Sequence, residues 1–304
     1  MKWIRFSHRN RTVVGMIHPS GYWDLEALLE HCAQGSFETA PFASGSMRQW
    51  LQWLSMPGSA ELLQKALEQA PDSIHQSQFV HDPPACRLLA PIHDPGKIIC
   101  LGLNYADHAA EQGKAPPDKP MIFAKYASCI IGPDDPVILP SRYTRKVDYE
   151  AELAVVIGRK SKGVAESEAA NCVAGYTIMN DVTARDFQSE DKQWVRGKSC
   201  DTFAPIGPHI VTADEIPDPH NLRIQLRLNA QTMQNSSTAQ LVFKIPFLIS
   251  YLSRTMTLEP GDVISTGTPP GVGVYRQPPL FLKAGDRMEV EIERIGILSN
   301  PVVE

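Results

Sequence analysis

Apolar residues along the chain change their spacing near residue 80, and the change divides the sequence into two regions. In the first, Trp3-Ile4-Arg5-Phe6 and Thr12-Val13-Val14-Gly15-Met16-Ile17 read as a hairpin. Leu25 to Cys32, Met47 to Met56 and Ala60 to Ala70 then carry apolar side chains at helical spacing, with Pro57-Gly58 breaking the second helix from the third. Asp82-Pro83-Pro84 and the stretch from Pro91 to Gly96 are rich in chain breakers, and Cys86-Arg87-Leu88-Leu89-Ala90 reads as an extended connector between them. Beyond lie strand patterns over Lys97 to Leu101, Met121 to Ala124, Ala151 to Ile157, Ala174 to Met179, Asn221 to Leu228, Asp262 to Thr266 and Arg287 to Ile292. Helices are expected only over Tyr105 to Glu111, Ala165 to Asn171 and Ile245 to Thr255. The predicted organisation is a small α+β domain at 1–80, a linker at 81–96 and a mainly β domain at 97–304. Strands and helices alternate too irregularly for a doubly wound sheet, so the fold class is α+β, mainly β.

One strand breaks the pattern of its surroundings. In Val-Asp-Tyr-Glu-Ala-Glu-Leu-Ala-Val-Val-Ile-Gly, Glu150 and Glu152 share one face, because successive strand side chains alternate. The apolar run Leu153 to Ile157 heads into a core, and no Lys or Arg alternates with the two acids. Unpaired buried charge costs several kcal/mol per ion. The pair is therefore half of a Mg²⁺ or Mn²⁺ site, a proton-sharing dyad, or a strand face that meets water.

Composition narrows the partners. The 304 residues are 43% apolar and 21% charged, with a formal charge of −5, as in an ordinary soluble globular protein. Lys and Arg are scattered, which argues against a nucleic-acid footprint and a basic membrane patch. No apolar run reaches the ~20 residues that span a bilayer. The six cysteines form no Cys-x-x-Cys pair and are expected to be reduced, mostly buried thiols. A cytoplasmic location is expected. Lys2, Arg5, Arg9 and Arg11, with no acid before residue 24, also suit a mitochondrial targeting peptide, but the hairpin is the preferred reading of that segment.

Four further segments offer chemistry. Asp181 follows the apolar run Tyr176-Thr177-Ile178-Met179, where a strand end can bring a third carboxylate to Glu150 and Glu152; a capping role is the alternative. Three carboxylates leave about three of roughly six octahedral positions for water and substrate oxygens. His108 and Glu111 are three apart in a helical pattern, hence on one face, and can act as an oriented imidazole base or simply be solvated. Lys198, in a loop flanked by Gly197 and Ser199, can offset charge on an enolate oxygen. Ser265-Thr266-Gly267-Thr268-Pro269-Pro270-Gly271-Val272-Gly273 is no phosphate loop, lacking Gly-Lys-Ser/Thr, but it offers close backbone approach and Thr hydroxyls for a carboxylate.

Taken in order, these segments resemble the fumarylacetoacetate hydrolase superfamily over residues 88–303. The resemblance rests on Gly102-Leu103-Asn104-Tyr105-Ala106-Asp107-His108, Glu150-Ala151-Glu152-Leu153, Asp181-Val182-Thr183-Ala184-Arg185-Asp186, Gly197-Lys198-Ser199 and Thr266-Gly267-Thr268-Pro269. Ile122 to Ser128 and Thr268 to Val274 are most similar to the fumarylacetoacetate hydrolase domain-containing protein 2 branch. The resemblance implies a mixed β-roll catalytic domain, a homodimer, and Mg²⁺ or Mn²⁺ held by Glu150, Glu152 and Asp181. It implies a His108–Glu111 dyad on a lid, Lys198 as active-site lysine, and substrate contacts from Arg185, Gln188 and Thr268. Many acylpyruvate-cleaving members resemble Thr-Pro-Lys-Gly where this chain has Thr268-Pro269-Pro270-Gly271, which puts their substrate choice in doubt here. The implied activity is metal-dependent chemistry on an enolisable 2-oxo acid, with oxaloacetate keto-enol tautomerisation first. Acylpyruvate or fumarylacetoacetate-type C–C hydrolysis, oxaloacetate decarboxylation, and a non-catalytic metal-binding paralogue are the alternatives.

Overall fold

The computed structural model describes residues 1–32, 45–70 and 79–304. The parts of the expected first domain at 33–44 and 71–78 lie outside these residues. The fold is α+β and mainly β, built among the described residues on two large sheets and a two-stranded ladder of Val147–Asp148 with Thr183–Ala184. In the larger, twelve-stranded sheet the spatial order is Val80–His81, Gly21–Asp24, Arg11–His18, Lys2–His8, Ala204–Thr212, Val173–Asn180, Ala151–Ile157, Val263–Ser265, Ile98–Gly102 and Met121–Lys125. Arg87–Leu89 and Ile130–Ile131 pair outside that path with Lys2–His8 and Ala204–Thr212. Ala151–Ile157 lies near the centre and is buried at every position, as its continuous apolar run predicts for a strand covered on both faces.

The second sheet has the order Gln231–Ser237, Arg223–Leu228, Arg287–Ile292, Gly296–Val303 and Val137–Ile138. Arg223–Leu228 and Arg287–Ile292 alternate strictly, so Ile224, Leu226, Leu228, Met288, Val290 and Ile292 point inward. Their outward residues pair across the strands, Arg227 with Glu289 and Glu291. The inward face packs on Ala151–Ile157 and Val173–Asn180, and the main core sits between these layers.

The first hairpin forms as expected, with Trp3 opposite Met16 and Phe6 opposite Val13. It continues the large sheet through Lys2 opposite Val211 and Trp3 opposite Ile210, and Arg87–Leu89, in the expected linker, pairs with Arg5 to Ser7. Helix Met47–Leu54 starts at Ser46, whose hydroxyl accepts from the Gln49 N–H, and buries Trp50 and Trp53.

Three strands of seven or more residues escape the sequence pattern. Ala204–Thr212 contains Pro205 and Pro208, Gly296–Val303 contains Pro301, and Gln231–Ser237 is almost wholly polar on a sheet edge. Glu166–Cys172 is a 3₁₀ helix where an ordinary helix was expected. Lys198 is the last residue of a short helix, Val195–Lys198, and not part of a loop.

Candidate active site

The register of the central strands assembles the acidic cluster. Ala151 lies opposite Asn180, so the residues before one strand and after the other meet: the Glu150 N–H donates to Asn180 Oδ1 (3.0 Å) and the Asp181 N–H to the Glu150 carbonyl (2.9 Å). Glu150, Glu152 and Asp181 are buried and each offers an oxygen within 4.8 Å of the others. Of the three fates open to the glutamate pair, a strand face meeting water is thereby excluded.

The cations that share this site arrive from distant segments. Lys198 Nζ donates to Glu150 Oε2 (2.8 Å) and Asp181 Oδ2 (2.7 Å), and Lys125 Nζ to Asp181 Oδ1 (2.6 Å) and the Val182 carbonyl (3.1 Å). Arg185 reaches Glu150 Oε1 (2.7 Å) through Nη1 and Asp148 Oδ2 (2.8 Å) through Nε. Against Asp148, Glu150, Glu152 and Asp181 stand Lys125, Arg185 and Lys198, four negative charges and three positive. The unmatched charge falls on Glu152, whose partners are the Ser265 hydroxyl and the Gly267 N–H (3.0 Å).

The titration behaviour follows from this division. Burial pushes Glu150 up, but Lys198 and Arg185 outweigh it and hold the group below the usual carboxylate range. Burial, with Asp181 and Glu150 alongside, drives Glu152 well above that range. Burial lowers Lys198, but Asp181 and Glu150 more than reverse this. An all-oxygen donor set with one uncompensated negative charge fits a hard divalent cation, and the three carboxylates are the residues that can hold it.

A second group faces the cluster from helix Ala106–Glu111. His108 is buried, and its Nδ1 lies 2.8 Å from Glu111 Oε2, so the three-residue spacing places both on one face as expected. Burial raises Glu111, yet the hydrogen bonds from His108 and from the Gly271 N–H (2.9 Å) hold it below the usual range. With Nδ1–H directed at Glu111, His108 Nε2 carries the lone pair, and Gln112 Nε2 lies 3.0 Å from it. Asn104 fixes the helix entrance, donating to the Thr266 carbonyl (2.8 Å) and accepting from the Phe243 N–H (2.8 Å).

The backbone of the glycine-rich loop serves the protein's own side chains. Its N–H groups are directed at the protein's own acids: Gly267 at Glu152, Gly271 at Glu111, and Gly273 at Asp148 (2.7 Å). At Gly271, φ is +102° and a Cβ would stand 2.1 Å from the Met233 carbonyl oxygen, so no other residue fits. Thr268 Oγ1 accepts from Gln234 Nε2 (2.8 Å), leaving its own O–H free to donate.

A cavity of about 250 Å³ is lined by His108, Gln112, Lys114, Glu150, Glu152, Arg185, Gln188, Lys198, Thr268 and Tyr275. Glu111 stands behind His108, bordering a wider cleft of about 980 Å³, and Asp181 joins the site through Lys198. Gln188 Oε1 accepts from Arg185 (3.1 Å). Every residue singled out in the sequence thus belongs to one neighbourhood. Lys125, Asp148, Gln112 and Lys114 are further members that sequence reasoning missed. Only Asp148, in the stretch containing the glutamate pair, carried a local signal.

The profile described as Fumarylacetoacetate (FAA) hydrolase C-terminal matches residues 97–303. The chain is 51% identical over 245 residues to "Oxaloacetate tautomerase fahd2, mitochondrial" of Xenopus laevis, covering 80% of this chain and 76% of that protein. It is 51% identical over 217 residues to "Oxaloacetate tautomerase FAHD2A, mitochondrial" of Homo sapiens, covering 71% and 69%. The solved fumarylacetoacetate hydrolase from psychrophilic Exiguobacterium antarcticum superimposes with a TM-score of 0.82 at 37% identity, covering 100% of this chain and 99% of that one. The profile match runs through every residue that builds the site, from His108 to Thr268, and the chain belongs to the fumarylacetoacetate hydrolase family.

Proposed function

We propose that the protein is an oxaloacetate keto-enol tautomerase that works with a divalent metal, Mg²⁺ or Mn²⁺. The observation that carries this reading is the meeting of two groups in one small cavity: an acidic cluster with one charge unmatched, and a buried imidazole held by Glu111 at Nδ1 and contacted by the Gln112 amide at Nε2. Relatives named oxaloacetate tautomerase support the choice of substrate.

When bound, the metal supplies positive charge for the 1-carboxylate and 2-oxo oxygens and lowers the energy of the enolate. The rest belongs to the chain. In the enolising direction His108 Nε2 takes a proton from C3, and in the ketonising direction it returns one; no carbon–carbon bond breaks. Glu111 holds Nδ1–H and stabilises the imidazolium that forms. Lys198 offsets charge on the enolate oxygen, while Arg185, Gln188 and Thr268 fix the substrate's orientation.

Acylpyruvate or fumarylacetoacetate-type hydrolysis is the second reading, favoured by the hydrolase among the similar structures. It uses the same dyad to deliver water to a 4-oxo carbon. Oxaloacetate decarboxylation and a non-catalytic metal-binding role rank below these. A homodimer is proposed on the family resemblance. For the compartment, the named relatives support the mitochondrial alternative over the cytoplasmic expectation. No helix among the described residues is long and apolar enough to cross a membrane.

The test is a spectrophotometric comparison of enol-oxaloacetate ketonisation, acylpyruvate cleavage and oxaloacetate decarboxylation, each with and without Mg²⁺. Ketonisation is expected to dominate and to need the metal. Dominant cleavage or CO₂ release would replace the tautomerase reading.

A further inference from the structure

Three cations other than histidine line the 250 Å³ cavity: Lys114, Arg185 and Lys198. Two are already committed, Lys198 to Glu150 and Asp181, and Arg185 to Asp148 and Glu150. Lys114 differs. Its Nζ donates to Gln112 Oε1 (3.0 Å), a neutral amide, and among the described residues no carboxylate lies within ion-pair distance of it. The loop Thr268 to Gly273 that borders the cavity carries no cation.

The backbone fixes where this lysine stands. Helix Ala106–Glu111 closes with Gly113 in the left-handed region, φ +63°; the Gly113 N–H donates to the Ala110 carbonyl (2.9 Å) and the Lys114 N–H to the Ala109 carbonyl (3.0 Å). That pair of bonds is a Schellman ending, which turns the chain back over the last helical turn. Lys114 is thereby anchored beside the helix that carries His108, and its side chain meets the base through one residue: Lys114 Nζ to Gln112 Oε1, and Gln112 Nε2 to His108 Nε2.

From this arrangement we infer that Lys114 is a specificity-determining residue that binds the second carboxylate of a dicarboxylic 2-oxo acid. The inference rests on the tautomerase reading for the placement of the first carboxylate and the 2-oxo group at the acidic cluster. In a four-carbon dicarboxylate, C3 lies between the 2-oxo carbon and the second carboxylate. A dicarboxylate held at the cluster and at Lys114 has C3 between its two ends, in the cavity that His108 also lines. A monocarboxylic 2-oxo acid leaves Lys114 without an anion.

The experiment compares two inhibitors with Mg²⁺ present. Oxalate has only the chelating end, whereas 3,3-difluorooxaloacetate has both ends and cannot enolise. Lys114→Met is expected to weaken difluorooxaloacetate binding by calorimetry about ten-fold and to leave oxalate unchanged. In turnover of enol-oxaloacetate it should raise KM about ten-fold with kcat within about two-fold, and Lys114→Arg should restore most of the loss. Equal affinity of parent and Lys114→Met for difluorooxaloacetate, or equal weakening of both inhibitors, overturns the assignment. Calorimetry needs no turnover. A parent that binds both inhibitors yet leaves enol-oxaloacetate unconverted therefore sinks the tautomerase reading, while the binding data still decide the role of Lys114.

Discussion

Glu152 and Lys114 border the same cavity under opposite conditions. Glu152 is 1% exposed at the centre of the large sheet, whereas Lys114 is exposed at the end of a six-residue helix. Around Glu152 the charges interlock: each cation touches at least two groups, and Glu150 and Asp181 each hold two cations. Removing one partner from such a buried set typically costs about 3–5 kcal/mol, because another charge is left unpaired. At the rim an exposed charge contributes about 0–1 kcal/mol to the fold. The floor is thus bound to the protein's stability and holds what the chemistry requires, while the rim is free to choose which substrate is taken.

The largest expected effect comes from breaking the floor where it carries no cation. Glu152→Ala removes the unmatched acid and one of three oxygen donors without stranding a lysine or arginine. The fold should survive, but the rise in melting temperature on adding Mg²⁺ should vanish, and ketonisation should fall by at least about a thousand-fold. An unchanged metal-induced shift would show that the metal, if any, sits elsewhere.

Next comes the group that joins floor and rim. His108→Ala is expected to slow ketonisation by about 10²–10⁴-fold while preserving the Mg²⁺-induced melting shift, since His108 is no donor in the acidic cluster. Equal rates for parent and variant would remove the dyad from the mechanism. Loss of the shift together with the rate would make His108 part of the floor.

The same contrast explains what could be read from the residues alone. Glu150, Glu152 and Asp181 were visible because two acids on one face of an apolar strand, and a third at the end of another, violate a strong local pattern. His108 and Glu111 were visible through helical spacing. Lys125 was not, because it meets Asp181 across 56 residues of sequence and nothing near it marks a buried lysine. Gln112 and Lys114 follow the helix in a segment that looks like any polar turn, and their meaning depends on the Schellman ending. In the fold, the apolar strands were legible and the proline-bearing Ala204–Thr212 was not, although it joins the hairpin to the core.

That hidden strand also supplies the smallest effect, one needed to keep acid loss of the fold apart from acid loss of catalysis. His209 is buried within it, and burial, reinforced by Lys2, lowers its pKa to about 4 from an ordinary 6.5. Between those values the unfolded chain holds a proton that the folded chain does not, so stability rises with pH across this window. The contribution is complete above about pH 6.5 and is lost progressively as pH falls toward 4. From pH 7.5 to pH 5.5 the loss should be on the order of 1 kcal/mol in urea unfolding, and His209→Gln should flatten that part of the profile. Ala204–Thr212 pairs with Val173–Asn180, the strand that leads into Asp181, so it borders the floor of the site. If the acid limb of ketonisation moves with His209→Gln, it reports the fold. If it stays, it belongs to the dyad and the substrate.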